Sequence, residues 1–224
     1  GSGAPLDYTT PSRVTGKIGY AQDFSVGTKD SEAFIDVGTV DTDFSEALTI
    51  SFWSYWDDPD GGAGNNSNEQ WWSRILDFGQ GPYDDNIIVA HKENTAKWDF
   101  TVFVGGSTQV NIAPSSPVIP HQEWVYATFS HFTNGTVALF INGEKVASIL
   151  ADRPADVSRD KSYIGLSNWH SSAPDGELRA YVDELRLSNH SINESMVITD
   201  HNSVLYPDQF ICEGICLAES VSLT

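Results

Sequence analysis

The amino-acid sequence predicts an all-β protein, a single antiparallel β-sandwich carrying one short helix near its C-terminal end. Three observations predict it. Apolar and polar residues alternate with a period of two through most of the chain, with β-branched and aromatic side chains throughout. Turn residues recur about every eight to twelve positions. Only one segment in 224 residues has a helical signature.

The first strong strand is Ala47-Leu48-Thr49-Ile50-Ser51-Phe52-Trp53-Ser54-Tyr55, where Leu48, Ile50 and Phe52 share one face and Thr49, Ser51 and Trp53 the other. Asn86–His91, Trp98–Val104, Glu123–Phe132, Thr136–Asn142 and Glu177–Leu187 alternate in the same way. Asn134-Gly135 and Asn142-Gly143 are hairpin signals, because a type I′ turn needs positive φ at both central residues. Trp124–Phe132, Val137–Ile141 and Lys145–Leu150 are therefore expected to form a three-stranded meander. The helix is placed by Ser191-Ile192-Asn193-Glu194, read as a capping box with Ser191 at the N-cap; about two turns are expected, ending before Asn202. Trp71-Trp72 reads as part of an alternating strand, with one ring inward and the other free.

Composition bounds the function. Twelve Lys+Arg against 31 Asp+Glu give a net charge of −19, while 40% of residues are hydrophobic. That charge repels phosphate backbones and anionic membrane surfaces, so neither nucleic acid nor membrane is expected as a partner. It favours divalent cations, basic partners, or plain solvation. No run approaches the ~18 apolar residues of a membrane helix. Gly1-Ser2-Gly3 reads as a cloning remnant, so the lack of a signal peptide after it says nothing about secretion. Cys212 and Cys216 form a poor zinc signature by themselves, because two more ligands at defined spacing are missing; a small disulfide loop in an oxidising compartment is the better reading. Sequons at Asn65, Asn134, Asn189 and Asn193 add weak support for secretion, although Asn134 is explained as a turn residue.

Ordered segments carry a resemblance. Gly16-Lys17-Ile18-Gly19-Tyr20-Ala21-Gln22-Asp23-Phe24, Phe34-Ile35-Asp36-Val37 and Leu48–Trp53 open it. Glu123–Thr128, Val137-Ala138-Leu139-Phe140-Ile141-Asn142-Gly143-Glu144, Tyr163-Ile164-Gly165 and Tyr181-Val182-Asp183-Glu184-Leu185-Arg186-Leu187 continue it. Together they resemble a laminin-G-like jelly roll of the concanavalin A-like lectin/glucanase superfamily. The resemblance implies two curved antiparallel sheets face to face over residues 14–204, between an N-terminal segment 1–13 and a tail 205–224. It also implies a recognition module of a larger secreted or cell-surface protein, with other domains in the same chain and frequently a structural calcium. By the same resemblance Asp183 is the leading calcium ligand, with oxygens near Asp23 and Ser25; the alternative is that Asp183 pairs with Arg179 or Arg186, or caps a turn.

Catalytic signatures are absent. The Glu-x-Asp-x-x-Glu set of the glucanase relatives does not occur, and Asp183-Glu184 puts its carboxylates on opposite strand faces. No Gly-x-Ser-x-Gly or His-Glu-x-x-His is present, so no enzyme is expected. Carbohydrate binding asks for aromatic faces beside polar groups that fix hydroxyls. Trp72 and Trp169 border Gly/Asn/Asp/Ser-rich stretches and are the expected stacking residues; Trp169 could instead fold back as a lid over the core edge. His170, Asp175, Asp58 and Asp60 are the expected contacts to hydroxyls or cations. The expected ligand is a glycan or cell-surface glycoprotein. The rival readings are a protein-interaction or architectural adhesion domain, and a polysaccharide hydrolase or lyase.

Overall fold

The computed structural model describes residues 9–27, 32–57, 70–93, 95–170 and 175–207. The strands are β1 (Ser12–Thr15), β2 (Tyr20–Asp23), β3 (Ile35–Val40), β4 (Leu48–Trp56), β5 (Arg74–Gly79), β6 (Ile87–His91), β7 (Trp98–Val104), β8 (Ser107–Ile112), β9 (Trp124–His131), β10 (Thr136–Ile141), β11 (Glu144–Leu150), β12 (Arg159–Ile164) and β13 (Ala180–Ser188). They form a seven-stranded sheet, β1-β2-β13-β4-β9-β10-β11, facing a six-stranded one, β3-β12-β5-β6-β7-β8. All the ladders are antiparallel.

Alternation dictates which side chains fill the gap between the sheets. Leu48, Ile50 and Phe52 of β4 meet Ile87 and Val89 of β6 and Trp98, Phe100 and Val102 of β7 in one core. Phe52 and Trp98 touch edge to face at 5.1 Å, the geometry their ring quadrupoles prefer. The expected meander is present as β9-β10-β11. Its tight turn carries Asn142 at φ +50 and Gly143 at φ +86. Asn142 Oδ1 also accepts the Tyr126 N–H at 2.9 Å, tying the turn back to β9.

The outward face of the seven-stranded sheet is closed by the helix α1 (Glu194–Leu205). Val197 is buried there against Trp53, Tyr126, Ala138 and Phe140, and His201 stacks on Trp53 at 5.5 Å. Two expectations about this helix are corrected. Asn193, not Ser191, is the N-cap, its side chain accepting the Met196 N–H at 3.0 Å. The chain before it is held against the sheet: Thr49 Oγ1 donates to the His190 carbonyl, and the Ile192 N–H donates to Thr49 Oγ1 and Ser130 Oγ. Those contacts keep 190–192 out of the helix. The helix also runs beyond Asn202 to Leu205, because the packing of Val204 and His201 continues past two turns. Cys212 and Cys216 lie outside the described residues.

Candidate functional site

The outward face of the six-stranded sheet has no helix over it among the described residues. Instead two short connections rise over it: a turn at Gln70–Ser73 and the segment Ser167–His170. Between them lies a groove of about 300 Å³. Its floor follows from strand alternation. Trp98, Phe100 and Val102 point into the core, so Asp99, Thr101 and Phe103 of β7 point outward, beside Arg74 of β5, Ile88 of β6 and Asn111 of β8.

Aromatic rings make the wall. Trp169, 8% exposed, packs with Ile88, Ala90, Phe103 and Trp72. Tyr83, 56% exposed, meets Trp169 edge to face at 4.9 Å and Phe103 at 5.3 Å. Trp72 and Tyr83 sit at φ +56 and +62, a left-handed conformation that costs a side-chain-bearing residue about 1–2 kcal/mol. Two strained aromatics at the mouth of one groove mark it as a candidate site.

The polar groups are held by one another. Arg74 Nη2 donates to Asp175 Oδ2 at 2.8 Å, Nη1 to the Trp72 carbonyl, and Nε lies 3.7 Å from Asp77 Oδ2. Ser167 Oγ donates to Asp175 as well. Asp77, fully buried, accepts from the Asn168 N–H at 2.9 Å, from its side-chain amide at 2.9 Å, and from Asn86 Nδ2 at 2.7 Å. Burial pushes the Asp77 carboxyl up; the Arg74 charge and these donors oppose it. This network fixes Trp169, which follows Asn168 directly. On the far side, Asp99 accepts from Thr101 Oγ1 and from Asn111 Nδ2, with Lys92 Nζ at 3.5 Å. Burial raises the Asp99 carboxyl too.

Three residues expected from the sequence meet here: Trp72, Trp169 and Asp175. Two details are corrected. Trp72 lies in a turn rather than in a strand, and Trp169 is neither a free stacking ring nor a lid over the inter-sheet core: it packs on the outward face of the sheet as the buried base of the wall. His170 adjoins the site without lining it, its Nδ1 2.8 Å from the Ser167 carbonyl oxygen. Asp58 and Asp60 lie outside the described residues. Arg74, Tyr83, Asp99, Phe103 and Asn111 were not anticipated. The alternation through Trp98–Val104 already put Asp99, Thr101 and Phe103 on one outward face, and that was the signal available.

Asp183 and Asp23 lie elsewhere, on β13 and β2 of the seven-stranded sheet. Asp183 Oδ2 accepts the Ile18 N–H and Oδ1 the Glu184 N–H, each at 2.8 Å. Asp183 thus caps the β1–β2 turn, and a Cβ on Gly16 would lie 2.5 Å from its Oδ2. Asp23 Oδ1 accepts from the backbone N–H and hydroxyl of Ser25. Calcium needs six to eight converging oxygens. Among the described residues no group of three or more His, Cys, Asp or Glu side chains gathers to hold a metal, and Asp183 faces amide donors instead of other oxygens. This donor set does not fit a calcium cage.

Residues 28–197 match the family profile described as the concanavalin A-like lectin/glucanases superfamily. The chain belongs to this superfamily. Its sequence matches no curated protein at a significant level. Among solved structures it is similar to the binding domain of Paraclostridial Mosquitocidal Protein 1, at 15% identity and a TM-score of 0.60, covering 89% of this chain and 47% of that one. The binding domain of botulinum neurotoxin serotype G gives 13% identity and a TM-score of 0.62, with coverages of 86% and 45%. The chain therefore spans about half the length of these toxin domains. Domain 4 of AbnA, an extracellular arabinanase of Geobacillus stearothermophilus solved with arabinotriose, gives 20% identity, a TM-score of 0.52, and coverages of 85% and 81%. At such identities the likeness is one of fold.

Proposed function

We propose that this superfamily member is a non-catalytic carbohydrate-binding module of a larger secreted or cell-surface protein, and that it binds a glycan, free or on a glycoprotein, in the groove over the six-stranded sheet. The observation that carries the reading is the groove itself, where aromatic rings stand beside buried hydrogen-bonding side chains on the one sheet face that α1 does not cover. Aromatic rings take the apolar faces of sugars and fixed polar groups take their hydroxyls. The similarity to an arabinanase domain solved with arabinotriose and to toxin binding domains supports a binding role.

A glycan array followed by affinity electrophoresis tests the proposal. At least one glycan should retard the wild-type protein, with and without calcium, and Tyr83→Ala should weaken the retardation by about tenfold or more while leaving the fold intact. Absence of any glycan ligand would favour a protein-interaction or architectural role. Cleavage of a glycan, lost in Asp99→Asn, would overturn the non-catalytic reading.

A further inference from the structure

On the floor of the groove Thr101, Asn111 and Ser167 turn their donors onto neighbouring carboxylates, and their acceptors are left over. Thr101 gives its hydroxyl proton to Asp99. The Asn111 side-chain amide turns its Nδ2 to both Asp99 oxygens at 3.2 Å and to Thr101 Oγ1 at 3.0 Å, so its carbonyl oxygen is the end not used on them. Ser167 gives its proton to Asp175. Arg74, 6% exposed and the cation among the described lining residues, gives Nη2 to Asp175 and Nη1 to the Trp72 carbonyl, while its Nε lies 3.7 Å from Asp77, beyond hydrogen-bond distance. Lys92, just outside, leans on Asp99 at 3.5 Å. What these side chains can still offer a ligand is oxygen lone pairs: Asp99 Oδ2, which receives only contacts of 3.2 Å or longer, Asn111 Oδ1 and Thr101 Oγ1.

We infer that the ligand of this groove is a neutral glycan, whose hydroxyls donate to Asp99, Thr101 and Asn111, and that glycans bearing carboxylate or sulfate groups are rejected. The inference rests on the groove being the glycan site and names the class of glycan that it takes. A carboxylate or sulfate brings only acceptors to the acceptors of Asp99, Thr101 and Asn111, and it would lose its hydration against them without gaining a donor from the floor. The protein's net charge of −19 opposes its approach as well. A basic peptide is less well served than a sugar. Asp175 is already paired with Arg74 and Asp99 already faces Lys92 Nζ at 3.5 Å, so a further cation would find little unpaired charge to meet.

The test is affinity electrophoresis of the whole chain in gels holding, one at a time, neutral polysaccharides (arabinan, galactan, mannan, β-glucan), acidic ones (polygalacturonate, alginate, a sulfated galactan) and polylysine, for wild type, Tyr83→Ala and Asn111→Ala. The inference expects retardation by a neutral polysaccharide and none by the others. Tyr83→Ala and Asn111→Ala should each weaken it by about tenfold or more, and raising salt to about 0.5 M should leave it unchanged. Retardation by an acidic polysaccharide or by polylysine that disappears in Tyr83→Ala would overturn the ligand class while leaving the groove as the site. Neutral retardation that survives Tyr83→Ala, or no retardation at all, would overturn the groove reading and this inference with it.

Discussion

The two outward faces of the sandwich start from similar material and end in opposite states. Both outer sides hold tryptophan, Trp53 from strand β4 itself on one and Trp169 from a connection packed onto the other. On the seven-stranded sheet Trp53, 2% exposed, is sealed beneath α1, with Val197 beside it and His201 stacked on it. On the six-stranded sheet Trp169 is nearly as buried, but loop residues cover it and leave Tyr83 standing in solvent beside acceptor-lined space. The difference lies in the cover. A helix brings a continuous apolar stripe and finishes the burial, whereas the loops bring single rings and an ion-pair network. An aromatic residue on an outer sheet face is thus core or binding surface according to what crosses over it.

Five experiments would break or sharpen that contrast, from the largest expected effect downward. Val197→Asp buries a carboxylate under the helix and should cost about 4 kcal/mol; near-neutrality in a urea melt would mean the helix does not seal the face. Trp169→Ala should cost about 3 kcal/mol, as expected for a packed ring. Were its melt unchanged, Trp169 would be a ligand contact rather than the base of the wall. Asp183→Asn strips an acceptor from the Ile18 and Glu184 amides and should cost about 2 kcal/mol equally in calcium and in chelator. A loss confined to calcium-containing buffer would restore the metal-ligand assignment.

The fourth experiment concerns Glu32, whose carboxyl is raised from 4.5 to about 7 by burial, then by Glu177 and by Asp175 of the groove. Raised acids stabilise the fold below the unfolded value, and here that contribution is lost as pH climbs through about 7. Glu32→Gln should therefore melt higher than wild type at pH 8, by about 1 kcal/mol after allowing for solvent screening, and equally at pH 4. A gain of equal size at both pH values would disconnect it from ionisation. Smallest in stability is Tyr83→Ala, expected within about 0.5 kcal/mol because the ring is largely exposed. Its glycan affinity should nonetheless fall at least tenfold, about 1.4 kcal/mol, by titration calorimetry. A large stability loss with intact binding would make it a packing residue.

Much of the fold could be read directly. Period-2 alternation placed Leu48, Ile50 and Phe52 in the core and Trp53 opposite, and two Asn-Gly pairs located the β9-β10-β11 meander. These are local rules, set by the pleat and by positive φ. The helix start was legible only to within two residues, because Ser191 and Asn193 both cap well alone. Contacts of 190–192 with Thr49 and Ser130 chose between them.

The candidate site divides in the same way. Trp72, Trp169 and Asp175 stood out in the sequence because they flank turn-forming stretches, and they do converge. Arg74, Asp99 and Asn111 did not, since a charged or amide residue within a strand pattern looks like ordinary solvation until its neighbours are known. By itself the sequence determined the sandwich, its alternating faces and its acidity, all of which follow from short-range chemistry. Only the tertiary structure decided which outer face the helix covers and which way each floor donor in the groove is turned. Those depend on partners far apart in the chain, such as Arg74 with Asp175 and Asp77 with Asn168, where only folding brings the chain together.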